Sequence, residues 1–210
     1  SMSAVNSTAR NIRRNYSAEE LRSMALETRS ACIKVLEAAS VEAPQDLISH
    51  IELATVLYFK HLRYDPVHPQ WEDRDRVYWS EHFDRLVLSV VLSGAGFQSL
   101  EKALSLSSEK AIIGLETGPE SFGHGLGIAA GDALSAKLEG KDYNVISVMG
   151  ESEQMHGSIW EAAHFAAANQ LGNLIGVVIR TSNRIELLAD KYASFGWHVI
   201  LVDGNNVSDI

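Results

Sequence analysis

The spacing of apolar residues divides the chain into a helical first part and a second part in which strands and helices alternate. In the first part, apolar positions recur every three or four residues over 17–39 and again after Pro44, which predicts two amphipathic helices. Ser17 and Glu20 have the Ser-x-x-Glu spacing in which the serine caps the helix and the glutamate reaches back to the start.

The second part has the pattern of a parallel sheet. Strands that alternate with helices pair in parallel through right-handed crossovers. The near-continuous apolar run Leu174–Ile179 implies a strand buried on both faces. The predicted fold class is therefore α/β, a parallel sheet with helices on both faces. Beyond the first two helices, the predicted elements are strands at 76–79, 145–149, 174–179 and 198–202, and helices at 84–92, 123–138, 158–168 and 186–194.

Polar side chains gather where the predicted strands end. Ligands of parallel α/β sheets bind beyond the carboxyl ends of the strands, which here are 150–153, 180–183 and 203–206. The first of these places Glu151 between a buried strand and a helix N-terminus, where backbone N–H groups attract anions. This arrangement is typical of a site for a metal-bound phosphate.

Composition restricts the partners and the compartment. The 210 residues, 46% of them hydrophobic, suit one globular domain, predicted at 17–210 after a flexible arm at 1–16. The net charge of −9 argues against nucleic acid or an anionic membrane as a partner, because both need a basic face. No apolar run approaches the ~20 residues of a membrane span, and Cys32 has no second cysteine with which to form a disulfide. A cytoplasmic location is expected.

A set of ordered segments extends over most of residues 17–210. The segments are 57–60, 62–66, 71–76, 122–127, 137–143, 159–163 and 195–199. Taken together, they resemble the N-terminal, thiamine-diphosphate-binding domain of transketolases. The resemblance implies the diphosphate-binding half of that fold, and a split enzyme in which a separate, transketolase C-terminal-like subunit supplies the remaining domains. A homo- or hetero-oligomer is expected.

The resemblance also implies a cation site. In the family, the Asp of a Gly-Asp-Gly motif and an Asn about thirty positions later hold the cation that binds thiamine diphosphate. Glu151 stands at the Asp position and Thr181 at the Asn position, with Asn183 two residues further along. Oxygen ligands of this kind suit Mg²⁺ or Ca²⁺. Glutamate reaches one methylene further than aspartate, so the ion would have to move.

Four further positions would surround the diphosphate by the same resemblance. Gly123 and Gly150 are family glycines, while Ser152 replaces the second glycine of the motif. His124 stands where the family usually has a glutamine. The histidine could contact phosphate, or it could have a packing role at the start of a helix, and the sequence leaves both interpretations open.

The positions for proton transfer differ from the family pattern. Glu161 corresponds to a member of a proton relay between two cofactor sites, but its acidic partner position is His156. Glu161 could equally stabilise the dipole of its helix. Two substrate-binding histidines are replaced by Ala43 and Phe83. Because general acid–base steps each contribute roughly 10²–10⁴-fold, these losses indicate an altered substrate.

Two functions remain open from the sequence. One is the N-terminal subunit of a split, thiamine-diphosphate-dependent transferase of two-carbon ketol units. The other is a cofactor-free structural or regulatory subunit, a pseudoenzyme in which the fold persists and the site has changed. A general phosphate- or nucleotide-binding module rests only on the strand-end geometry.

Overall fold

The computed structural model describes residues 14–38, 40, 50–80, 85–101, 113–180 and 187–210. The predicted helix start at Pro44 and the positions of Phe83, Thr181 and Asn183 lie outside these residues. The chain divides into two compact units. The helical unit consists of residues up to 74 with 84–106 and 204–210, and the sheet unit consists of 75–83 and 107–203.

The helical unit is built from amphipathic helices. Buried Ala25 and Cys32 of the first helix pack in one cluster with Ile51 and Val87 of the other two. An ion pair of 2.6 Å between Arg29 and Glu52 also joins the first two helices. The helices are α1 (Ala18–Ala38), α2 (Ile51–Val56), which continues as a π-helical turn (Leu57–His61), and α3 (Arg85–Gly94).

The predicted cap of α1 is confirmed. Ser17 donates its backbone N–H and its hydroxyl to Glu20 Oε2 over 2.7 and 2.8 Å, and the Glu20 N–H donates back to Ser17 Oγ over 3.3 Å. These bonds hold the pKa of the Glu20 carboxyl below its usual value. The reciprocal arrangement satisfies N–H groups that a helix start would otherwise leave without an acceptor.

The sheet unit contains a parallel sheet flanked by helices, which confirms the predicted fold class. Its described strands lie in the order β1-β2-β3, with Arg76 opposite Val145 and Val145 opposite Leu174. The elements are β1 (Arg76–Trp79), α4 (Gly125–Leu138), β2 (Val145–Gly150), α5 (Gly157–Ala168), β3 (Leu174–Ile179) and α6 (Leu188–Ser194), with short 3₁₀ turns at Pro119–Ser121 and Ser152–Met155.

Two sequence predictions for this unit are wrong. Residues 198–202 form no strand, and their side chains Ile200 and Leu201 are exposed. The prediction that β3 is buried on both faces also fails, because Ile175 and Gly176 are exposed. All six residues of β2 are buried, since described strands pair with it on both sides, whereas β3 pairs with β2 on one side within the described residues. A central strand and an edge strand can have equally apolar sequences.

Small residues allow α4 and α5 to pack closely in one core. Ala129 and Ala133 of α4 are completely buried, as is Ala163 of α5. At the amino end of the sheet, Asp132 accepts hydrogen bonds from the Tyr78 hydroxyl (2.9 Å) and the Tyr143 hydroxyl (2.9 Å). The same carboxylate pairs with Arg76 over 3.0 Å. This cluster ties α4 to β1 and to the loop that precedes β2.

Among the helices of the described residues, none combines the length and the apolar content that a membrane crossing requires.

Candidate functional site

The candidate site lies in the sheet unit, where the carboxyl ends of β1 and β2 meet the loop before α4. Backbone hydrogen bonds continue for one residue beyond the carboxyl ends of β1 and β2. The Ser80 N–H donates to the Val148 carbonyl over 2.9 Å, and the Glu151 N–H donates to the Ile179 carbonyl over 3.0 Å. Gly125 begins α4 directly against Ser80, and a Cβ at this glycine would lie 2.7 Å from the serine Oγ. The chain therefore needs a glycine for this close approach.

Glu153 is a completely buried acid between the two loops of the site. Its Oε1 accepts a hydrogen bond from the Gly150 N–H over 2.9 Å, and its Oε2 accepts one from the Gly123 N–H over 2.8 Å. Each carboxylate oxygen thus has a backbone partner, which offsets part of the cost of burying the charge. The carboxylate joins the end of β2 to the loop before α4.

The backbone N–H and carbonyl of Gly123 are both hydrogen-bonded to side chains of the segment that follows β2. Its carbonyl accepts a hydrogen bond from Ser158 Oγ over 2.6 Å, while its N–H donates to Glu153. Its φ of +77° is in the left-handed region, and a Cβ would approach the His156 ring to 3.0 Å. The His156 ring also packs edge-on against Phe122, with ring centroids 5.4 Å apart. The left-handed φ favours glycine at residue 123, and a larger side chain would also require the His156 ring to shift.

A second set of hydrogen bonds fixes the turn after β2 from the other side. Gln154 donates to the Gly150 carbonyl over 3.1 Å and accepts from the Tyr192 hydroxyl over 2.8 Å. The Trp160 indole N–H donates to the Gln154 carbonyl over 2.9 Å. Burial, reinforced by the nearby charge of Glu153, raises the pKa of the Tyr192 phenol, so that it remains a hydrogen-bond donor.

The structure brings several of the predicted cofactor positions together. Gly123 and Gly150 share the Glu153 carboxylate, and His156 lies over the first of them. The N–H groups of both glycines are directed at Glu153, so these residues shape the loops and do not offer those two donors to a ligand. Ser152 follows in the same turn with an exposed side chain.

His124 and Glu161 both have exposed side chains, the first directly before α4 and the second within α5. His124 is the residue before α4, and its N–H donates to the Ser121 carbonyl over 2.7 Å. Glu161 lies in the second turn of α5.

Of the three predicted cation ligands, the structure describes Glu151, which is half-buried and follows β2 directly. Within the residues that the structure describes, no three His, Cys, Asp or Glu side chains gather into a metal site. The predicted ligand set is untested, because Thr181 and Asn183 fall outside the described part. The surroundings nevertheless fit an anion bound through a cation: a carboxylate at a strand end, two helix N-termini, and open space where Gly157 would carry a Cβ.

Residues 21–210 match the family described as transketolase, thiamine diphosphate binding domain. The chain belongs to this transketolase family. The resemblance predicted from the ordered segments is therefore confirmed, and thiamine diphosphate is the cofactor for which the matching domain is named.

Relatives include separate subunits as well as complete transketolases. The chain is 29% identical to the 6-deoxy-6-sulfo-D-fructose transketolase subunit SqwG of Clostridium sp. (strain MSTE9), an alignment that covers 78% of this chain and 66% of that protein. It is 31% identical to an apulose-4-phosphate transketolase subunit of Phocaeicola vulgatus, over 78% of this chain and 65% of that protein. Against the transketolase of Homo sapiens, identity is 28% over 91% of this chain and 34% of that one.

The fold is that of solved transketolases. The transketolase from Campylobacter jejuni superposes with a TM-score of 0.77 at 23% identity, over 92% of this chain and 34% of that one. The chain spans just under two thirds of the length of the two subunit relatives and about a third of the complete transketolases. The transketolase-type domain is thus present, and its activity has to be argued from the site.

The site contains contacts that the sequence did not reveal. Glu153, Gln154 and Tyr192 were not predicted to interact. In the sequence, an acid followed by a glutamine in a polar turn is typical of an exposed loop. The one available signal is that Glu153 follows Gly150 by three residues, close enough for a side chain to accept the glycine N–H.

Proposed function

We propose that this chain is the diphosphate-binding subunit of a split, thiamine-diphosphate-dependent transferase that moves a two-carbon ketol unit. The observation that carries the proposal is the transketolase domain over residues 21–210 in a chain that matches separate transketolase subunits. The geometry supports it, because the loops before α4 and after β2 converge at the strand ends where a parallel sheet binds phosphate groups.

Glu151 is the residue of this chain that would hold the cation, with Thr181 or Asn183 as the second ligand. Mg²⁺ or Ca²⁺ suits these oxygen donors and would neutralise the diphosphate charge. Ser152 and His124 would lie beside the diphosphate, and the N-termini of α4 and α5 would favour its negative charge. When bound, thiamine diphosphate supplies the nucleophilic carbon that ketol transfer requires.

Glu161 and His156 are proposed to handle protons. An exposed imidazole directly before α5 and an exposed carboxylate in its second turn can exchange protons with groups of a neighbouring subunit.

The proposed partner is a transketolase C-terminal-like subunit, assembled with this chain into a homo- or hetero-oligomer in the cytoplasm. Two relatives of similar extent are named as subunits, which supports a partner. The acidic net charge of −9 agrees with a partner other than nucleic acid or an anionic membrane. The cofactor-free alternative is less favoured, because both of these relatives are described as transketolases.

Titration calorimetry of the co-purified partner complex with thiamine diphosphate and Mg²⁺ tests the proposal. We expect saturable binding that Glu151→Ala weakens strongly. Glu139→Ala is the matched control, because Glu139 is an exposed glutamate at the far end of α4. No heat above buffer at millimolar cofactor would contradict the proposal, and so would equal binding by the complexes with Glu151→Ala and Glu139→Ala.

A further inference from the structure

The Glu153 carboxylate is the strongest feature of the site that the proposed chemistry does not use. It is completely buried and lies at the edge of the sheet where the site is formed. Burying a carboxylate costs free energy unless its oxygens are hydrogen-bonded. An apolar side chain of similar size would avoid this cost, so the charge calls for an explanation other than packing.

Within the described part of the chain, the Glu153 carboxylate accepts hydrogen bonds from the backbone N–H groups of two glycines in separate loops. Gly150 ends β2, and Gly123 lies in the loop before α4, thirty residues away from Glu153 in the chain. The carboxylate therefore acts as a bridge whose length fixes the distance between the two backbones. Apolar packing could fill the space but would not set this distance.

The two bridged loops carry the residues that the proposed function places around the diphosphate. The loop at Gly123 leads to His124 and the N-terminus of α4, and the turn at Gly150 leads to Glu151 and Ser152. A ligand that spans both loops would require their separation to be set before it binds. The cost of ordering the loops is then met in folding and does not weaken binding.

We infer that Glu153 is a positioning residue that holds the Gly123 and Gly150 loops at the separation required for a diphosphate-bearing cofactor. The inference rests on the proposed function for the identity of the ligand. It predicts that the bridge acts on cofactor affinity, and that the chemical step at saturating cofactor is largely unaffected. In this role Glu153, which is completely buried, acts on the ligand through the two loops that it contacts.

Glu153→Gln is the informative variant, because it has the same shape and keeps one oxygen acceptor. Its amide NH₂ group would face one glycine N–H, donor against donor, so one bridge bond is lost. Glu153→Asp keeps the charge but is one methylene shorter, and it serves where the glutamine variant folds poorly. Glu139→Gln is the matched control at an exposed glutamate, where Ser135 donates to the side chain over 3.0 Å.

The first measurement needs no cofactor. Hydrogen exchange of the partner complex, followed by mass spectrometry, should show faster exchange in peptides that contain Gly123 and Gly150 in the glutamine variant. Peptides from the centre of α4, residues 126–136, should keep their exchange rates. Unchanged exchange at both glycines would show that the bridge does not hold the loops and would overturn the inference.

The second measurement separates affinity from turnover. For Glu153→Gln we expect the calorimetric Kd for thiamine diphosphate to rise roughly tenfold or more, as for the loss of a charge-assisted hydrogen bond. The kcat at saturating cofactor should stay within about threefold of wild type, since the residue does not touch the reacting atoms. Glu153→Asp should give a smaller rise in Kd, and Glu139→Gln none.

The possible failures are distinguishable. A variant with a lower melting temperature but the wild-type Kd would show a purely structural role for Glu153 and would overturn the inference while leaving the proposed function intact. A wild-type complex that binds no thiamine diphosphate would overturn the proposed function, and with it the role of Glu153 toward that ligand, whatever the exchange rates show.

Discussion

Gly123→Ala should destabilise the protein through two separate effects that the structure allows to be measured independently. The first is backbone strain, because φ is +77° and a left-handed conformation costs an alanine about 1–2 kcal/mol. The second is a close contact, because the new Cβ would lie 3.0 Å from both Cγ and Nδ1 of His156. Carbon atoms in contact prefer roughly 3.5–4.0 Å, so the ring must shift.

The sum of these effects is a loss of about 2–5 kcal/mol in the free energy of unfolding, since overpacking in a closed site adds about 1–3 kcal/mol to the strain of about 1–2 kcal/mol. The His156 side chain is exposed and can give way, so the lower half of this range is expected. Urea unfolding followed by tryptophan fluorescence and circular dichroism would measure the difference.

Two further variants separate the strain from the contact. Gly140→Ala is the matched control, because Gly140 has a φ of +68° and no heavy atom within 4 Å of a built Cβ. It should lose about 1–2 kcal/mol, from strain only. In a His156→Ala background, Gly123→Ala should also cost about 1–2 kcal/mol, so a double-mutant cycle would give a coupling of about 1 kcal/mol or more.

Equal losses in the free energy of unfolding for Gly123→Ala and Gly140→Ala would contradict a resisting contact between residue 123 and His156. The same contradiction would follow if removal of the His156 ring left the cost of Gly123→Ala unchanged. Either result would mean that the ring moves away without resistance and that the glycine is required for its φ. A larger cost in the His156→Ala background would contradict the assignment of the contact altogether.

Three other outcomes follow from the described contacts. Asp132→Ala should lower the free energy of unfolding by about 3–5 kcal/mol, because it removes the carboxylate that pairs with Arg76 in a largely buried ion pair. Urea unfolding measures this change. A loss below about 1 kcal/mol would show that the pair contributes no more than a surface ion pair. Gly131→Ala should raise the free energy of unfolding by about 0.5–1 kcal/mol, because alanine favours the helix and its Cβ would meet no atom within 4 Å. A lower stability in urea unfolding would show that the added methyl group is not accommodated. Burial raises the pKa of Tyr64 and Tyr143 to about 12, above the usual value of 10.0. The unfolded chain therefore loses these protons at lower pH than the folded protein, so the free energy of unfolding should be unaffected by them below about pH 10 and should fall as the pH rises toward 12. Thermal melts between pH 8 and 12 would show this fall, and a melting temperature that stays constant would refute it.

The pattern of the chain predicted most of the described elements to within two residues. Strand β1 and strand β3 occur as predicted, and α4 begins at Gly125 and not at Gly123. The difference has a local cause, because the left-handed conformation of Gly123 cannot belong to the helix. The predicted strand at 198–202 failed because an apolar run marks residues that are able to pair in a sheet and does not by itself establish the backbone hydrogen bonds of a strand.

The sequence predicted the turn that follows β2 but not the hydrogen bonds that hold it. Strand ends and helix starts follow from local patterns, and they correctly indicated the turn after β2. The role of Glu153 could not be predicted, because its Gly123 partner is thirty residues away and both residues stand in polar segments. The one local signal, the spacing of three residues between Gly150 and Glu153, does not distinguish an acid that enters the interior from one that faces water.

The sequence by itself determined the alternation of strands and helices, the parallel sheet, and the ordered segments that place the chain in its family. These properties depend on local periodicity and on residue types at given positions, which need no knowledge of distant contacts. Only the tertiary structure decided which strand is central, which acid is buried, and which glycines the loops require. Burial and close approach arise when segments far apart in the chain are packed together, and a hydrogen bond between two loops exists only once both loops are in place.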